Sequence, residues 1–316
     1  MTTAKIGKHE INFSLEGDAG APLITFVNGL TQSVGLWTAY SKHFAERGYR
    51  VLAYDMLGQG RSSKPVLSIA LEDHPRTLAA LLDHIGAERT FLAAISFGGI
   101  VAIDFALAHG ARLDGLVLMS TFADLTPQLE FLGAALYEGL TQVGLPYLQS
   151  LLYPMNLSGA WIAANRERIP EMRRAGYIGN DLYALQNLME SFVTFTPRGP
   201  RLHEVACPTL ILNGEYDFFT PRECHDLMRR EMRNSRLVLV QRAYHAFTLE
   251  MPAITMRQIE HFVVSVREGR WRGDQSVWVA AEDPEAEPPA YRALGDHMRA
   301  IPPFEVPAEA AGKAVR

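Results

Sequence analysis

The sequence is poor in cysteine, in long apolar runs and in excess positive charge, and each shortage excludes a class of protein. Its 316 residues include only two cysteines, Cys207 and Cys224, too few for a disulfide framework or a cysteine metal cluster. No apolar run approaches the roughly 20 residues that cross a bilayer, so we expect no stable membrane insertion. The net charge of −5 repels a phosphate backbone and argues against a nucleic-acid partner.

Signals for export, metals and cofactors are also missing. Residues 1–8 have no apolar core of a signal peptide, so we expect a cytoplasmic location. No spacing of histidine, cysteine and carboxylate indicates a metal site. The glycine-containing segment Tyr54–Ser62 lacks the spacing and the lysine of a phosphate-binding loop, so it is interpreted as a structural loop in which Asp55 and Arg61 pair. We therefore expect no metal and no cofactor, and the sequence leaves the oligomeric state open.

Short apolar runs alternate with longer segments of helical period, which predicts an α/β fold: a mostly parallel sheet covered by helices on both faces. A weak pattern also indicates an opening hairpin around residues 6–15. The predicted strands are Leu23–Val27, Arg50–Tyr54, Thr90–Ile95, Gly115–Met119, Thr209–Leu212 and Leu237–Val240. The predicted helices are Gly35–Arg47, Leu71–Ile85, Gly98–Ala108, Pro221–Met232 and Met251–Arg267.

The alternation stops between about residues 121 and 200, where only helical periodicity remains. The sequence therefore predicts a core in two parts, residues 1–121 and 201–268, with a helical cap at 122–200. The cap is rich in apolar residues, among them Leu136 and Leu148, which we expect to contact a substrate. Residues 269–316 are rich in proline, alanine and glutamate and are predicted to be a tail, partly disordered or draped over the surface.

The strongest local motif surrounds Ser96, between an apolar strand and an apolar helix. A serine on such a sharp turn needs small residues two positions before and after it, and Ala94 and Gly98 meet that need. This pattern predicts a nucleophile elbow that holds the hydroxyl above the sheet. Taken alone, Ser96 is also a good helix N-cap, which is the structural alternative.

A serine hydroxyl becomes a nucleophile when a base and an orienting acid accompany it. Asp217 follows the strand that ends at Leu212, and His245 follows the strand that ends at Val240, so both are expected at one sheet edge with Ser96. The order serine, aspartate, histidine is that of α/β-hydrolases. Glu215 and Asp124 are the alternative acids. Asp217 could instead cap a helix and His245 could be an ordinary loop histidine.

The loop after the first buried strand contains Asn28, Gly29 and Leu30. Gly29 permits a tight turn, so the backbone amides of Leu30 and Phe97 are predicted to form an oxyanion hole. Asn28, Gly29 and Phe218 join Leu136 and Leu148 as predicted substrate contacts.

On these motifs the chain resembles the α/β-hydrolase superfamily over about residues 5–268. The segments Val27–Gly29, Ser96–Gly99 and 213–220, with His245 ahead of Leu249-Glu250, further resemble the 3-hydroxyacyl transferases. That resemblance implies an acyl-enzyme on Ser96 formed from a hydroxyacyl thioester or ester, with acyl carrier protein or coenzyme A as a partner. Ala94 and Phe97 depart from the serine and tryptophan that this group would have.

Four functions agree with these residues. The favoured one is a serine hydrolase that acts on a small carboxylic ester or thioester with an apolar acyl chain. The second is a 3-hydroxyacyl transferase that uses carrier-protein or coenzyme A thioesters. The third is a hydrolase of a C–C bond in a ring-cleavage product, because that chemistry uses the same three residues. The fourth is a hydrolase-like binding protein with no turnover.

Overall fold

A computed structural model describes residues 2–280 and the backbone of residues 290–292. Within that part of the chain one sheet contains ten strands in the order β1-β2-β4-β3-β5-β6-β7-β8-β9-β10. Strands β3 to β9 are parallel, whereas β1, β2 and β10 pair antiparallel at the two edges. The strands are β1 Thr2–Ile6, β2 His9–Glu16, β3 Leu23–Val27, β4 Arg50–Tyr54, β5 Thr90–Ile95, β6 Leu113–Met119, β7 Thr209–Gly214, β8 Ser235–Val240, β9 Val277–Ala280 and β10 Ala290–Arg292.

Helices cover both faces of the sheet, which explains why β3, β5 and β7 are buried at every position. Helices α2, α3 and α9 pack on one face, and α1 and α11 pack on the other. The helices are α1 Thr38–Ala45, α2 Asp73–His84, α3 Phe97–His109, α4 Pro127–Glu138, α5 Leu145–Asn156, α6 Gly159–Ala164, α7 Ile169–Gly179, α8 Leu182–Glu190, α9 Arg222–Glu231, α10 Phe247–Glu250 and α11 Pro252–Arg267.

The predicted α/β architecture is confirmed, and all six predicted strands are present with ends that differ by at most two residues. The opening hairpin is formed by β1 and β2. The loop after β4 is held by Asp55, which accepts hydrogen bonds from Asn12 Nδ2 and from the backbone amides of Val34 and Arg61. The predicted pairing of Asp55 with Arg61 is therefore a hydrogen bond from the Arg61 backbone amide to the Asp55 carboxylate.

The segment from β6 to β7 folds as the five helices α4 to α8, without a strand among these described residues. Its end is fixed to the core by Arg198, whose Nε and Nη2 each lie 2.9 Å from a carboxylate oxygen of Asp104 on α3. Both side chains are largely buried. No helix in the described part of the chain is long and apolar enough to cross a membrane.

The predicted tail needs a correction. Val277–Ala280 is strand β9, which pairs in parallel with β8 and extends the core sheet beyond residue 268. Three of its residues, Val277, Val279 and Ala280, are buried, so this short apolar run contributes to the core despite the surrounding composition. Residues 269–276 are also described, and Trp271 packs edge-on against Phe262 of α11. Residues 281–289 and 293–316 of the predicted tail lie outside the described residues.

Candidate active site

Ser96 stands at the turn between β5 and α3 with φ of 54° and ψ of −123°. Non-glycine residues rarely adopt a positive φ, and such strain is common at functional sites. Gly98 makes this turn possible, because a Cβ there would lie 2.4 Å from the carbonyl oxygen of Asn28. Ser96 occupies the N-cap position of α3, but its side chain makes no capping hydrogen bond to that helix. The helix-cap interpretation therefore does not account for the hydroxyl.

The three residues expected at one sheet edge do meet there. His245 Nε2 lies 3.1 Å from Ser96 Oγ, and His245 Nδ1 lies 3.0 Å from each carboxylate oxygen of Asp217. The alternative acids have other partners: Glu215 accepts the Arg242 amide at 2.8 Å, and Asp124 accepts the Gly199 amide at 2.7 Å. A hydroxyl, an imidazole and a carboxylate joined in this order are the groups that activate a serine in serine hydrolases.

Asp217 is buried, and its carboxylate accepts hydrogen bonds from neighbouring protein groups. Its oxygens accept hydrogen bonds from Thr220 N at 2.9 Å and Thr220 Oγ1 at 2.8 Å. Burial raises the pKa of Asp217, but the neighbouring His245 and the Thr220 amide outweigh burial and leave the pKa below its usual value. Asp217 is therefore a carboxylate at neutral pH, able to accept the Nδ1 proton of His245 and to fix its tautomer.

A second histidine, His225, is connected to the Ser96 turn through Thr121. Thr121 Oγ1 donates to the carbonyl of Ser96 at 2.7 Å, and the Thr121 amide donates to Nε2 of His225 at 3.1 Å. His225 Nδ1 lies 3.2 Å from the carbonyl of Pro221, which terminates the Asp217 loop. Burial lowers the pKa of His225 to about 4, so this imidazole is neutral at pH 7. Sequence patterns missed this connection because neither residue belongs to a local motif.

The predicted oxyanion loop is held by side chains that the sequence did not single out. Gln32 Oε1 accepts the Gly29 amide at 2.7 Å, and Gln59 Nε2 donates to the carbonyls of Gly29 and Leu30 at 2.8 and 3.0 Å. Leu30 and Phe97, whose amides are the predicted oxyanion donors, both line the cavity above Ser96. Phe97 is the first residue of α3, where helix amides have no intrahelical acceptor.

Asn28 is not a cavity residue, contrary to its predicted substrate contact. It is fully buried, its Oδ1 accepts Trp37 Nε1 at 2.8 Å, and its Nδ2 donates to the Tyr54 carbonyl at 2.9 Å. Asn28 therefore connects β3 to β4 and to Trp37, the residue before α1, and it fixes the start of the Gly29 turn.

A cavity of about 740 Å³ opens over Ser96 and His245, and helices α4, α5 and α8 supply part of its wall. Gly29, Leu136 and Leu148, three of the predicted substrate contacts, line it. Phe218 does not: its side chain is 53% exposed, and the adjacent Phe219 lines the cavity instead. Phe218 and Phe219 lie in a turn, where side chains do not alternate at a fixed period. The sequence therefore could not predict which of the two side chains faces the cavity. The remaining wall is mainly leucine, phenylalanine, methionine and valine.

The polar part of the wall is uncharged or acidic. Tyr137 donates to Glu190 Oε1 at 2.6 Å, and Gln186 Nε2 donates to the same oxygen at 2.7 Å. Glu130 also lines the cavity, whereas no lysine or arginine does so among the described residues. In that part of the chain no group of three histidine, cysteine or carboxylate side chains is arranged to hold a metal.

Comparison with known proteins places this site in a family. The model of the serine aminopeptidase S33 family matches residues 20–252, which include Ser96, Asp217 and His245. The chain belongs to this family of α/β-hydrolases. It is therefore an enzyme of the serine α/β-hydrolase superfamily, as its motifs predict.

Curated relatives carry different hydrolase names. A 2-hydroxy-6-oxononadienedioate/2-hydroxy-6-oxononatrienedioate hydrolase of Paraburkholderia xenovorans (strain LB400) is 27% identical over 254 residues, which are 76% of this chain and 85% of that protein. RutD of Pantoea ananatis, named as a carbamate hydrolase, is 30% identical over 221 residues, or 66% of this chain and 75% of that protein. The superfamily is thus supported, and the finer resemblance to 3-hydroxyacyl transferases is not.

Solved structures agree on the fold. A thermophilic esterase from Thermogutta terrifontis superposes with a TM-score of 0.74 at 25% identity, covering 84% of this chain and 97% of that chain. The enol-lactonase from Burkholderia xenovorans LB400 gives a TM-score of 0.76 at 19% identity, covering 83% of this chain and 100% of that chain. At that lower identity the likeness concerns the fold alone.

Proposed function

We propose that this chain hydrolyses a small carboxylic ester or thioester with an apolar acyl chain, through an acyl-enzyme on Ser96. The observation that carries the proposal is the continuous chain of hydrogen bonds from Ser96 Oγ through His245 to Asp217. Ser96 and His245 line a largely apolar cavity, so the hydroxyl is accessible to an apolar substrate. Residues 122–200 act as the cap that supplies most of the acyl-chain wall. A cytoplasmic location remains a prediction of the sequence.

In the first half of the reaction His245 Nε2 removes the Ser96 proton as Oγ attacks the substrate carbonyl carbon. Asp217 holds the imidazole and stabilises its positive charge. The amides of Leu30 and Phe97 donate to the tetrahedral oxyanion, and one such donor contributes roughly 3–4 kcal/mol to transition-state stabilisation. His245 then gives its proton to the departing alcohol or thiol, which leaves the acyl group on Ser96.

In the second half His245 takes a proton from water, and the resulting hydroxide attacks the acyl-enzyme. The tetrahedral intermediate collapses, Oγ regains the proton from His245, and the acid leaves. The neighbouring His245 and the Thr220 amide, which outweigh burial and lower the pKa of Asp217, support its ionised state throughout this cycle.

The charge of the cavity wall favours an uncharged acyl chain. The compounds named for the Paraburkholderia xenovorans relative are dicarboxylates with two negative charges. Arginine or lysine side chains in a binding site stabilise such carboxylates by charge-assisted hydrogen bonds. The described cavity wall instead presents Glu130 and Glu190. Like charges repel, so this wall argues for a neutral ester over a C–C hydrolase substrate with free carboxylates.

The test is hydrolysis of p-nitrophenyl esters from acetate to dodecanoate by the wild type and Ser96→Ala. We expect turnover of medium-chain esters by the wild type and its loss in the variant, with unchanged circular dichroism. Equal turnover in both proteins would contradict the proposal.

Product analysis separates the alternative chemistries. With a 3-hydroxyacyl thioester of carrier protein or coenzyme A, the free acid is expected; an acyl dimer or a new acyl thioester would establish the transferase instead. Loss of the absorbance of a vinylogous diketone would establish C–C hydrolysis. Absence of turnover on every substrate would favour the binding protein.

A further inference from the structure

Phe192, in the proposed cap, contacts both the cavity and two rings beside the Ser96 turn. It lies in a short turn that follows α8, it lines the cavity, and it is partly exposed. Its ring packs edge-on against Phe97, with centroids 5.6 Å apart and an interplanar angle of 71°. Its centroid also lies 6.1 Å from that of Phe122. An acyl chain in the cavity therefore reaches a side chain that is itself packed against these two rings.

The two rings belong to residues that adjoin the groups holding the candidate nucleophile. Phe97 follows Ser96 directly, and its backbone amide is a predicted oxyanion donor. Phe122 follows Thr121, whose hydroxyl donates to the Ser96 carbonyl at 2.7 Å. A displacement of the Phe192 ring therefore acts on the residue after the nucleophile and on the segment that binds the carbonyl of the nucleophile.

The contacts of the Phe97 ring differ in how firmly they are held. His74 on α2 is buried and packs edge-on against Phe97 at 5.6 Å, and close-packed interiors resist displacement. Phe192 is only partly buried, and the next residue, Val193, is 85% exposed. An acyl chain in the cavity adds van der Waals contacts to the exposed side of Phe192 and restricts its ring. Occupation of the cavity thus fixes the less firmly held neighbour of Phe97.

We propose that Phe192 is a positioning residue, which uses its contact with the acyl chain to hold Phe97 and its amide in the geometry that binds the oxyanion. This inference rests on the proposed ester hydrolysis at Ser96. Contacts remote from the reacting carbonyl raise kcat when they orient catalytic groups, whereas contacts that only hold the chain lower KM. The length of the acyl chain therefore changes kcat as well as KM. An oxyanion forms in both halves of the reaction, so the effect does not depend on which half limits kcat.

The experiment measures kcat and KM separately for p-nitrophenyl acetate and p-nitrophenyl octanoate. An edge-on aromatic contact is worth a factor of about 2 to 10 in a rate, so we expect the wild-type kcat for octanoate to exceed that for acetate by such a factor. Phe192→Ala should lower kcat for octanoate to the level of acetate and leave kcat for acetate unchanged. Leu132→Ala is the matched control, because it removes apolar wall on α4 outside this group of aromatic rings. It should raise KM for octanoate without changing kcat.

The outcomes are distinct. A wild-type kcat for octanoate no greater than that for acetate overturns this inference and leaves the proposed function intact. The role of Phe192 is also overturned if Phe192→Ala lowers kcat equally for both esters, if it changes KM alone, or if Leu132→Ala lowers kcat as much. A wild type that hydrolyses neither ester faster than Ser96→Ala overturns the proposed function as well. If Phe192→Ala does not fold, Phe192→Leu takes its place, with the same loss confined to octanoate expected and equal losses for both esters contradicting the role.

Discussion

Acidification is expected to destabilise this protein through two buried histidines, His74 and His225. Burial lowers the pKa of each imidazole to about 4. In the unfolded chain the same groups take up a proton near pH 6.5. Because the fold excludes a proton that the unfolded chain binds, the stability that each neutral histidine contributes is complete above pH 6.5 and is lost as the pH falls toward 4.

The size of the effect follows from the two pKa values. For one site with pKa 6.5 unfolded and about 4 folded, the linkage relation gives a loss of about 2 kcal/mol in the free energy of unfolding between pH 7 and pH 5. Two independent sites together lose roughly 4 kcal/mol, which is a large part of the 5–15 kcal/mol typical of a whole domain.

The assay is urea unfolding at pH 7, 6 and 5, and the informative variant is His74→Phe. Both ring nitrogens of His74 are buried without a hydrogen-bond partner among the described residues, and the ring packs edge-on against Phe97 with centroids 5.6 Å apart. Phenylalanine preserves that ring contact and cannot titrate.

His74→Phe should therefore reduce the loss of stability between pH 7 and pH 5 by about 2 kcal/mol. Replacing the exposed His203 by glutamine is the control and should leave the pH dependence unchanged. A pH dependence in His74→Phe equal to that of the wild type would refute the reasoning.

Three other changes probe the site and its support. Asp217→Asn should lower kcat for ester hydrolysis by roughly 10⁴-fold because the His245 tautomer is no longer fixed, and a loss below tenfold would contradict that role. Arg198→Met leaves the largely buried Asp104 carboxylate unpaired and should cost about 3–5 kcal/mol in urea unfolding; an unchanged midpoint would show that the pair is not needed. Gly98→Ala places a Cβ 2.4 Å from a backbone oxygen and should lower kcat by about 10²-fold, whereas Gly159→Ala, with open space around it, should not.

The central sheet and the meeting of Ser96, Asp217 and His245 are predictable because their signals are local. Each of the three residues follows an apolar strand, and parallel strands bring their carboxyl ends to one edge. The chain order then limits which residues can meet. Strand β9 escaped prediction because four apolar residues before a proline-rich segment carry too weak a signal.

The support of the site could not be predicted from the sequence. The bonds of Thr121 to Ser96 and to His225 join residues 25 and 104 positions apart, and no periodicity specifies such pairs. Whether Phe218 or Phe219 lines the cavity depends on the backbone dihedral angles of one turn.

The most direct test of the account is labelling of the purified protein with a fluorophosphonate, read by intact mass and peptide mapping, with Ser96→Ala in parallel. An activated serine forms a covalent phosphonyl adduct, whereas an ordinary serine does not. The account predicts a single adduct on Ser96 that is absent from the variant. No adduct, or an adduct on another residue, would contradict the claim that Ser96 is the nucleophile.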